Sequence, residues 1–475
     1  MNILKKFWPF LVLAILSFAL HFAFLSYPSQ VVFDETHFGK FVEAYFTGQY
    51  YFDIHPPLGK LLIAGFAKIS GLNPSSFSFD HIGQSGPAGL FFVLRFLPAL
   101  FGSLFTLALA WFAWLLTRSK KTALIAGFLV LCDNAFLVQS RFILVDIFLL
   151  FFEITAFCFF LLGLRQKFFS KKWFAYFALT GLFFGLTISV KWTGLAILGI
   201  FGAILLTKIF SQKLRDHLEI SSSVIPAPQN AGGIHPAVAG RLKAGMTKKV
   251  TETILAFSII LIIGFIIYLV PFAIHFKLLP LSGPGDAFMS ATFQQELKNP
   301  NEQNKLGLWS KFTELNVTMW KANSGLTQTH PFGSRWFEWP FDQKSIFYWN
   351  QEANGQNYKV FFSGNLFLWL ANFLAVLATL AFSFFKKFRS QLSRFLPIFF
   401  VLILSYLANL LPFILIKRVS FLYHYLPALT YALVLLAVWL AGLWPKQKIF
   451  LAVILAVILI NFILFLPLTF GWPAV

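Results

Sequence analysis

The chain has 475 residues, of which 58% are hydrophobic and 12% charged, and its mean hydropathy is +0.74. Soluble proteins of this size are closer to half apolar and a quarter charged, so this composition excludes a soluble globular protein. The formal net charge of +20 could attract nucleic acid. However, Lys and Arg lie mostly in short connections between apolar runs, where they fix membrane orientation, so no nucleic-acid partner is predicted.

Apolar runs long enough to cross a bilayer recur along the chain. A spanning helix needs roughly 20 mainly apolar residues, and the sequence offers about eleven candidates. These candidates are 7–27, 90–116, 122–139, 142–164, 173–190, 192–208, 250–273, 361–384, 395–416, 425–443 and 449–470. The first run lacks a small-residue cleavage site, so it is predicted to be a retained helix rather than a signal peptide. The predicted fold class is an all-α polytopic membrane protein.

Every second connection between the predicted spans is rich in Lys and Arg and contains scarcely an acid. These connections are 117–121, 165–172, 208–249, 385–394 and 445–448. Because basic loops stay in the cytoplasm, the pattern predicts a multi-pass membrane protein. Its N-terminus is expected in the cytoplasm and its C-terminus on the outer face.

Two longer segments are predicted on the outer face. The first, 28–89, contains HPPLGKLLIAGFAKI, which predicts an amphipathic helix in the membrane interface. The second, 274–360, is rich in Trp, Asn and Gln. The cytoplasmic stretch 221–240 has the composition of a flexible linker. The predicted units are an N-terminal transmembrane unit 1–273, the long outer loop 274–360 and a C-terminal four-helix unit 361–475.

This topology places polar residues from distant parts of the chain on one membrane face. They are Asp34, Glu35, His55, Arg95, Arg141, Asp146, Lys191, Arg335, Arg418 and His424, with Tyr425 beside the last. Charges near hydrocarbon are expensive and usually face a protein interior or an aqueous cavity. Both signs on one face predict a site that holds an anion beside carboxylates.

Soluble nucleotide-binding machinery is not evident in the sequence. There is no Gly-rich phosphate loop, no zinc-ligand spacing and no GxSxG motif. An activated donor is therefore expected to arrive through the membrane as a lipid phosphate. No cofactor or metal is predicted, and neither divalent-metal dependence nor oligomeric state is readable from the residues.

The adjacent acids Asp34 and Glu35 are conspicuous because the whole chain has only 18 Asp and Glu. A carboxylate beside the bilayer surface is what an enzyme needs to activate a hydroxyl. Two structural alternatives stay open: solvated loop acids, or an N-terminal cap of an interfacial helix.

The basic candidates also have structural alternatives. Lys191 could extend its amine to the interface, and His55, before two prolines, could only pack in a stiff turn. Arg95 and Arg418 could each anchor a helix end. Several such cations converging on one point would instead suit a phosphate group.

Six motifs in order resemble the protein O-mannosyltransferases of the GT-C class of membrane glycosyltransferases. The motifs are FDETHFGKF, FDIHPPLGK, RFILVD, SVKWTG, HPFGSRWFEWP and FLYHYLPAL. The resemblance implies a GT-C helix bundle with two outer-face loops. It also implies transfer of mannose, with inversion, from a polyprenyl (dolichyl) phosphate to Ser or Thr hydroxyls of exported proteins on the outer face.

The resemblance further implies roles for particular residues. Asp34 would be the general base, with Glu35 helping to place the acceptor, and Arg95 and Lys191 would hold the lipid phosphate. Two weaker phosphate candidates are Arg141 and Arg418. The remaining site candidates are His55, Asp146, Arg335, His424 and Tyr425.

One departure from the family is visible, and two alternative functions stay open. Eukaryotic members carry MIR modules in the long outer loop, and 274–360 has no room for them. The resemblance therefore implies a bacterial-type member, located in the cell (inner) membrane. The first alternative is a GT-C transferase that moves another sugar to a lipid or envelope glycan. The second is a transporter or lipid-binding membrane protein without catalysis.

Overall fold

The computed structural model describes residues 2–218, 236–300, 305–325, 329–385, 395–443 and 447–473. These residues form a mainly helical protein with one two-stranded sheet. Two predicted connections lie largely outside the described residues. The linker 221–240 is outside as far as residue 235, and the basic connection 385–394 is outside after residue 385.

The helices follow one another closely along the chain. In the first half they are α1 (Asn2–Phe22), α2 (Glu35–Thr47), α3 (Leu58–Ile69), α4 (Ala88–Thr117), α5 (Lys120–Leu131), α6 (Asn134–Gln139), α7 (Asp146–Leu164), α8 (Lys171–Ile188), α9 (Ala196–Phe210) and α10 (Gln212–Leu218). In the second half they are α11 (Pro236–Leu278), α12 (Ala291–Lys298), α13 (Leu308–Gly325), α14 (Leu366–Phe384), α15 (Leu396–Leu410), α16 (Leu426–Leu443) and α17 (Lys448–Phe470). The predicted interfacial helix is confirmed as a helix in α3.

Eight helices of the described part are long and apolar enough to cross a membrane. The polytopic helical class is therefore confirmed, whereas the number eleven stays a prediction. The predicted span 122–139 is wrong as one continuous helix, because the chain breaks between α5 and α6. Asp133 causes the break, since its carboxylate accepts bonds from the main-chain N–H groups of Ala135 and Phe136 and caps the second helix.

The bundle is built around α7, which is almost entirely buried and packs against α4 and α8. Small residues bring α8 and α11 together: a Cβ added to Gly185 would lie 2.6 Å from the carbonyl oxygen of Gly264. Such close backbone approach is the usual basis of helix association in membranes. On the other side, α16 packs against α5, α14 and α15.

The long segment 274–360 is not an irregular loop. It contains α12, α13 and most of an antiparallel hairpin formed by β1 (Ile346–Ala353) and β2 (Gln356–Phe362). The two turn residues, Asn354 and Gly355, both have positive φ, which matches the tight turns that suit the twist of paired strands. The predicted span 361–384 consequently begins later, at the start of α14. The proposed division into three units stays a prediction.

Candidate active site

Asp34 immediately precedes α2 at one end of the bundle. Its side chain is half-buried and makes no hydrogen bond or ion pair with the described residues, and it does not cap the helix. Burial raises the pKa of Asp34 to about 7. Nearby Lys191 opposes this rise, while the carboxylates of Asp146 and Asp53 add to it. A carboxyl group with that pKa and no partner is suited to accept a proton near neutral pH.

Glu35, the neighbouring acid, is fully buried and paired with Arg95. The two side chains form a bidentate ion pair with both nitrogen–oxygen distances at 2.8 Å. The Glu35 carboxylate also accepts main-chain N–H bonds from Val32 and Ile143. The remaining Arg95 donors bond to main-chain oxygens of the loop before α2, those of Leu25, Pro28 and Gln30. Both side chains therefore use their polar atoms within the protein, and both hold the loop that positions Asp34.

Arg141 is likewise committed to the protein interior. It is buried, its guanidinium lies 4.2 Å from the ring centre of Phe470, and it donates to main-chain oxygens. Those oxygens belong to Leu20, His21, Ala23 and Phe24. They follow the end of α1 or form its last turn, where helix carbonyls lack partners. Arg141 thus fastens the end of α1.

Lys191 is brought to Asp146 by the turn between α8 and α9. The amine donates to Asp146 at 2.7 Å and lies 5.1 Å from the ring centre of Tyr423. The second oxygen of Asp146 accepts from Gln139, which accepts in turn from the hydroxyl of Tyr348. Because an ammonium has three donors, Lys191 keeps donors for a ligand.

A cavity of about 610 Å³ adjoins Lys191. Its polar lining includes His55, Lys191, Asn409, Arg418 and His424. The rest is mostly apolar and comes mainly from the turn before α9, from α13, and from the end of α15 and the segment that follows it. A long apolar chain with a charged head matches such a lining.

Arg418 is another cation of this cavity. It is half-buried, and its guanidinium makes no hydrogen bond or ion pair with the part of the chain that the structure describes. Burial lowers the pKa of Arg418, and nearby Tyr423 and Asp53 oppose the decrease. Burial holds the pKa of His55 well below its usual range, and the positive charges of Lys191 and Arg418 lower it further. This imidazole is therefore neutral. Lys191, Arg418 and the neutral His55 therefore line the cavity, and the exposed Lys417 lines it as well.

The other predicted residues separate into two groups. His424 lines the cavity and its Nδ1 contacts the main chain of Phe421. Tyr425 is fully buried behind it, where its hydroxyl lies 3.2 Å from that of Tyr406. Arg335 is exposed and is not among the residues that line the cavity.

Sequence reasoning missed the ion pair between Asp53 and Lys60. The amine of Lys60 lies 2.5 Å from Asp53 and also donates to the main-chain oxygen of His55. Both charged residues belong to the motif FDIHPPLGK, whose two prolines turn the chain back. The seven-residue spacing of an acid and a base across this turn could therefore have predicted the ion pair. The pair fixes His55 beside the cavity.

A deeper polar cluster centres on Glu153 of α7. Its carboxylate accepts from Tyr431 at 2.6 Å and from Asn409 at 3.5 Å. Asn409 reaches the cavity, so Glu153 supports the cavity wall from behind. Elsewhere among the described residues, no group of three or more His, Cys, Asp or Glu side chains is placed to hold a metal ion.

A comparison with protein-family models decides the family. The model described as dolichyl-phosphate-mannose-protein mannosyltransferase matches residues 11–280, more than half of the chain. A second, described as the C-terminal four-transmembrane region of protein O-mannosyltransferase, matches residues 308–475. The chain belongs to the protein O-mannosyltransferase family.

Curated members of the family resemble the chain along most of its length. It is 31% identical to dolichyl-phosphate-mannose–protein mannosyltransferase 4 of Schizosaccharomyces pombe, over 74% of this chain and 42% of the relative. It is 32% identical to protein O-mannosyltransferase 1 of Drosophila melanogaster, over 60% of this chain and 29% of the relative. The chain thus spans less than half the length of these relatives.

Solved structures confirm the GT-C fold. The S. cerevisiae Pmt1-Pmt2 complex bound to the sugar donor matches with a TM-score of 0.84 at 20% identity, covering 99% of this chain and 91% of that chain. ArnT from Cupriavidus metallidurans bound to undecaprenyl phosphate matches with a TM-score of 0.51 at 15% identity, covering 94% of this chain and 63% of that chain.

Proposed function

We propose that this protein transfers mannose from a polyprenyl-phosphate-mannose donor to Ser or Thr hydroxyls of exported proteins. Membership of the protein O-mannosyltransferase family supports the reaction. The observation that carries the assignment of the site is the arrangement of Asp34. Its unpartnered carboxylate lies close enough to Lys191 for the two charges to interact, and Lys191 lines the cavity.

The chemistry follows from these groups. Asp34 takes the proton of the acceptor hydroxyl, and the oxygen attacks the anomeric carbon of mannose as the bond to phosphate breaks. The electron pair leaves with the phosphate, so the products are the mannosylated hydroxyl and a polyprenyl phosphate. A single displacement of this kind inverts the anomeric centre and needs one carboxylate as base.

Lys191 and Arg418 are proposed to hold the phosphate. The charge that develops on the leaving phosphate is stabilised by fixed cations without being protonated. Both residues line the cavity and keep donors available for a ligand. Its apolar remainder is proposed to contact the first isoprene units of the carrier.

Glu35, Arg95 and Arg141 are proposed to act as positioning residues. This revises the roles that the resemblance implied for them, namely acceptor placement and phosphate binding. Their polar atoms bond mainly to each other or to the main chain around Asp34 and the end of α1. They therefore keep the base in place without touching the donor.

The proposed location is the cell membrane, with the active site on its outer face. The basic connections, which include 117–121 and 165–172, would be cytoplasmic. Asp34 precedes α2 in the connection on the opposite side of α4 from residues 117–121, so it would face outward.

The test is mannose transfer from a lipid-linked donor to a Thr-containing peptide by the purified full chain. Asp34→Asn is expected to lower the rate by about 10²–10⁴-fold, the usual contribution of a positioned base. Arg418→Ala is expected to raise the KM for the donor, whereas Arg335→Ala, outside the cavity, should leave it unchanged. Wild-type transfer to envelope lipid with none to peptide would instead support the alternative GT-C reaction.

A further inference from the structure

A second cavity has no role in the reaction described above. Its volume is about 410 Å³, and its lining includes Lys40, Glu43, Tyr51, Ser75 and Gly285. This polar cavity lies beside α2, the helix that begins just after Asp34. Its lining is more polar than that of the first cavity, so it suits a water-borne ligand rather than a lipid chain.

The two cavities are lined by different residues of one short segment, 51–55. Tyr51 lines the polar cavity, and His55 lines the donor cavity. Between them Asp53, paired with Lys60, contributes to the pKa of Asp34. A ligand in the polar cavity and the lipid donor would therefore contact the two ends of the same segment.

The wall of the polar cavity is rigid. Phe41 of α2 stacks on Tyr51 with ring centres 4.5 Å apart. The segment 281–285 bonds to the neighbouring main chain, since the N–H of Gly285 donates to the oxygen of Tyr50. A Cβ on Gly285 would lie 2.4 Å from the main chain of Tyr51, so only glycine permits this contact. The cavity is thus preformed.

Glu43 gives the cavity its chemical preference. This half-buried carboxylate makes no hydrogen bond or ion pair with the described residues. Lys40, which also lines the cavity, is already paired with Asp80 at 3.5 Å. Burial raises the pKa of Glu43, and Lys40 opposes that rise while Asp80 adds to it. A partly desolvated carboxylate that makes no ion pair gains from a cationic ligand.

We propose that this cavity binds the acceptor polypeptide and that Glu43 selects acceptors with a Lys or Arg side chain near the modified hydroxyl. The proposal rests on the proposed transfer to protein hydroxyls and specifies its acceptor class. Glu43 lies nine residues after Asp34, which corresponds to about 14 Å along the helix axis. An extended peptide covers that length in about four residues. The cation should therefore lie about four residues from the acceptor Thr.

The test uses the purified full chain and peptides with one Thr and a Lys, Gln or Glu placed two to six residues from it. Wild type is expected to prefer Lys over Glu by roughly two- to fivefold in KM, the size of an exposed or half-exposed ion pair. Glu43→Gln should remove the preference, and Glu43→Lys should reverse it, with kcat unchanged. Lys40→Gln should strengthen it. Glu352→Gln, an exposed acid on the hairpin, is the charge-matched control.

The outcomes separate this proposal from the proposed function. Equal KM values for Lys and Glu peptides, or equal effects of Glu43→Lys on every peptide, would overturn the acceptor site while transfer itself stands. Binding of a fluorescent Lys peptide is measured in parallel without donor. If wild type binds the Lys peptide more tightly than the Glu peptide but transfers no mannose, the site stands and the proposed reaction is wrong.

Discussion

At the scale of single residues, the proposed role of Asp34 as the base predicts how the reaction depends on pH. A base works only when ionised, and burial raises the pKa of Asp34 to about 7. We therefore expect kcat/KM to rise about tenfold per pH unit below 7 and to level off above it. Initial rates between about pH 5.5 and 8.5 measure this dependence. A mannosyl phosphodiester stays ionised over that range, so a flat profile would exclude Asp34 as the base.

The pair of Glu35 and Arg95 supports a prediction about stability rather than donor binding. Arg95→Ala would leave a buried carboxylate unpaired, which costs about 3–5 kcal/mol. We expect a large decrease in thermal unfolding temperature in detergent, measured by intrinsic fluorescence. The double variant Glu35→Gln with Arg95→Met removes both charges and should recover part of the loss. A stable Arg95→Ala protein with weakened donor binding would favour a phosphate contact instead.

Sequence reasoning named candidate residues for the site but not the partners that the fold gives them. It selected Asp34, Lys191 and Arg418, which lie in or near the cavity. It also placed Arg95 and Arg141 among the phosphate ligands, although their donors are used within the protein. A cation at a helix end has the same sequence signal whether it faces a ligand or a carbonyl. Only the fold brings Glu35 to a residue 60 positions away.

At the scale of elements, the apolar runs predicted the long helices because length and hydropathy are local properties. The sequence did not predict the break in 122–139 because Asp133 is a single acid in an apolar run. The second oxygen of its carboxylate accepts a hydrogen bond from the distant Trp369. The hairpin had a local signal that went unused: Asn354 and Gly355 between strand-forming residues favour a two-residue turn. Pairings across the chain depend on tertiary packing and have no such signal.

The hairpin is connected to the site through Tyr348 of β1. Its hydroxyl donates to Gln139, which donates to Asp146, the partner of Lys191. Tyr348→Phe should leave the hairpin folded and lower the free energy of unfolding by about 1 kcal/mol, the net contribution of one hydrogen bond. We expect the donor KM to rise as Lys191 loses its fixed position. Tyr358→Phe, in β2 and away from this chain of bonds, is the control; equal KM changes in both would contradict the connection.

At the scale of the whole molecule, the distribution of charge predicts how the bundle lies in the membrane. Basic connections remain cytoplasmic, so Lys167 should face the cytoplasm and Glu352, in the hairpin, the outside. The protein suits cysteine labelling because its own Cys132 and Cys158 are buried. Lys167→Cys and Glu352→Cys replace exposed side chains. In intact cells an impermeant maleimide should label only the Glu352→Cys variant. In inverted vesicles it should label only the Lys167→Cys variant. The reverse pattern would place Asp34 in the cytoplasm and exclude exported proteins as acceptors.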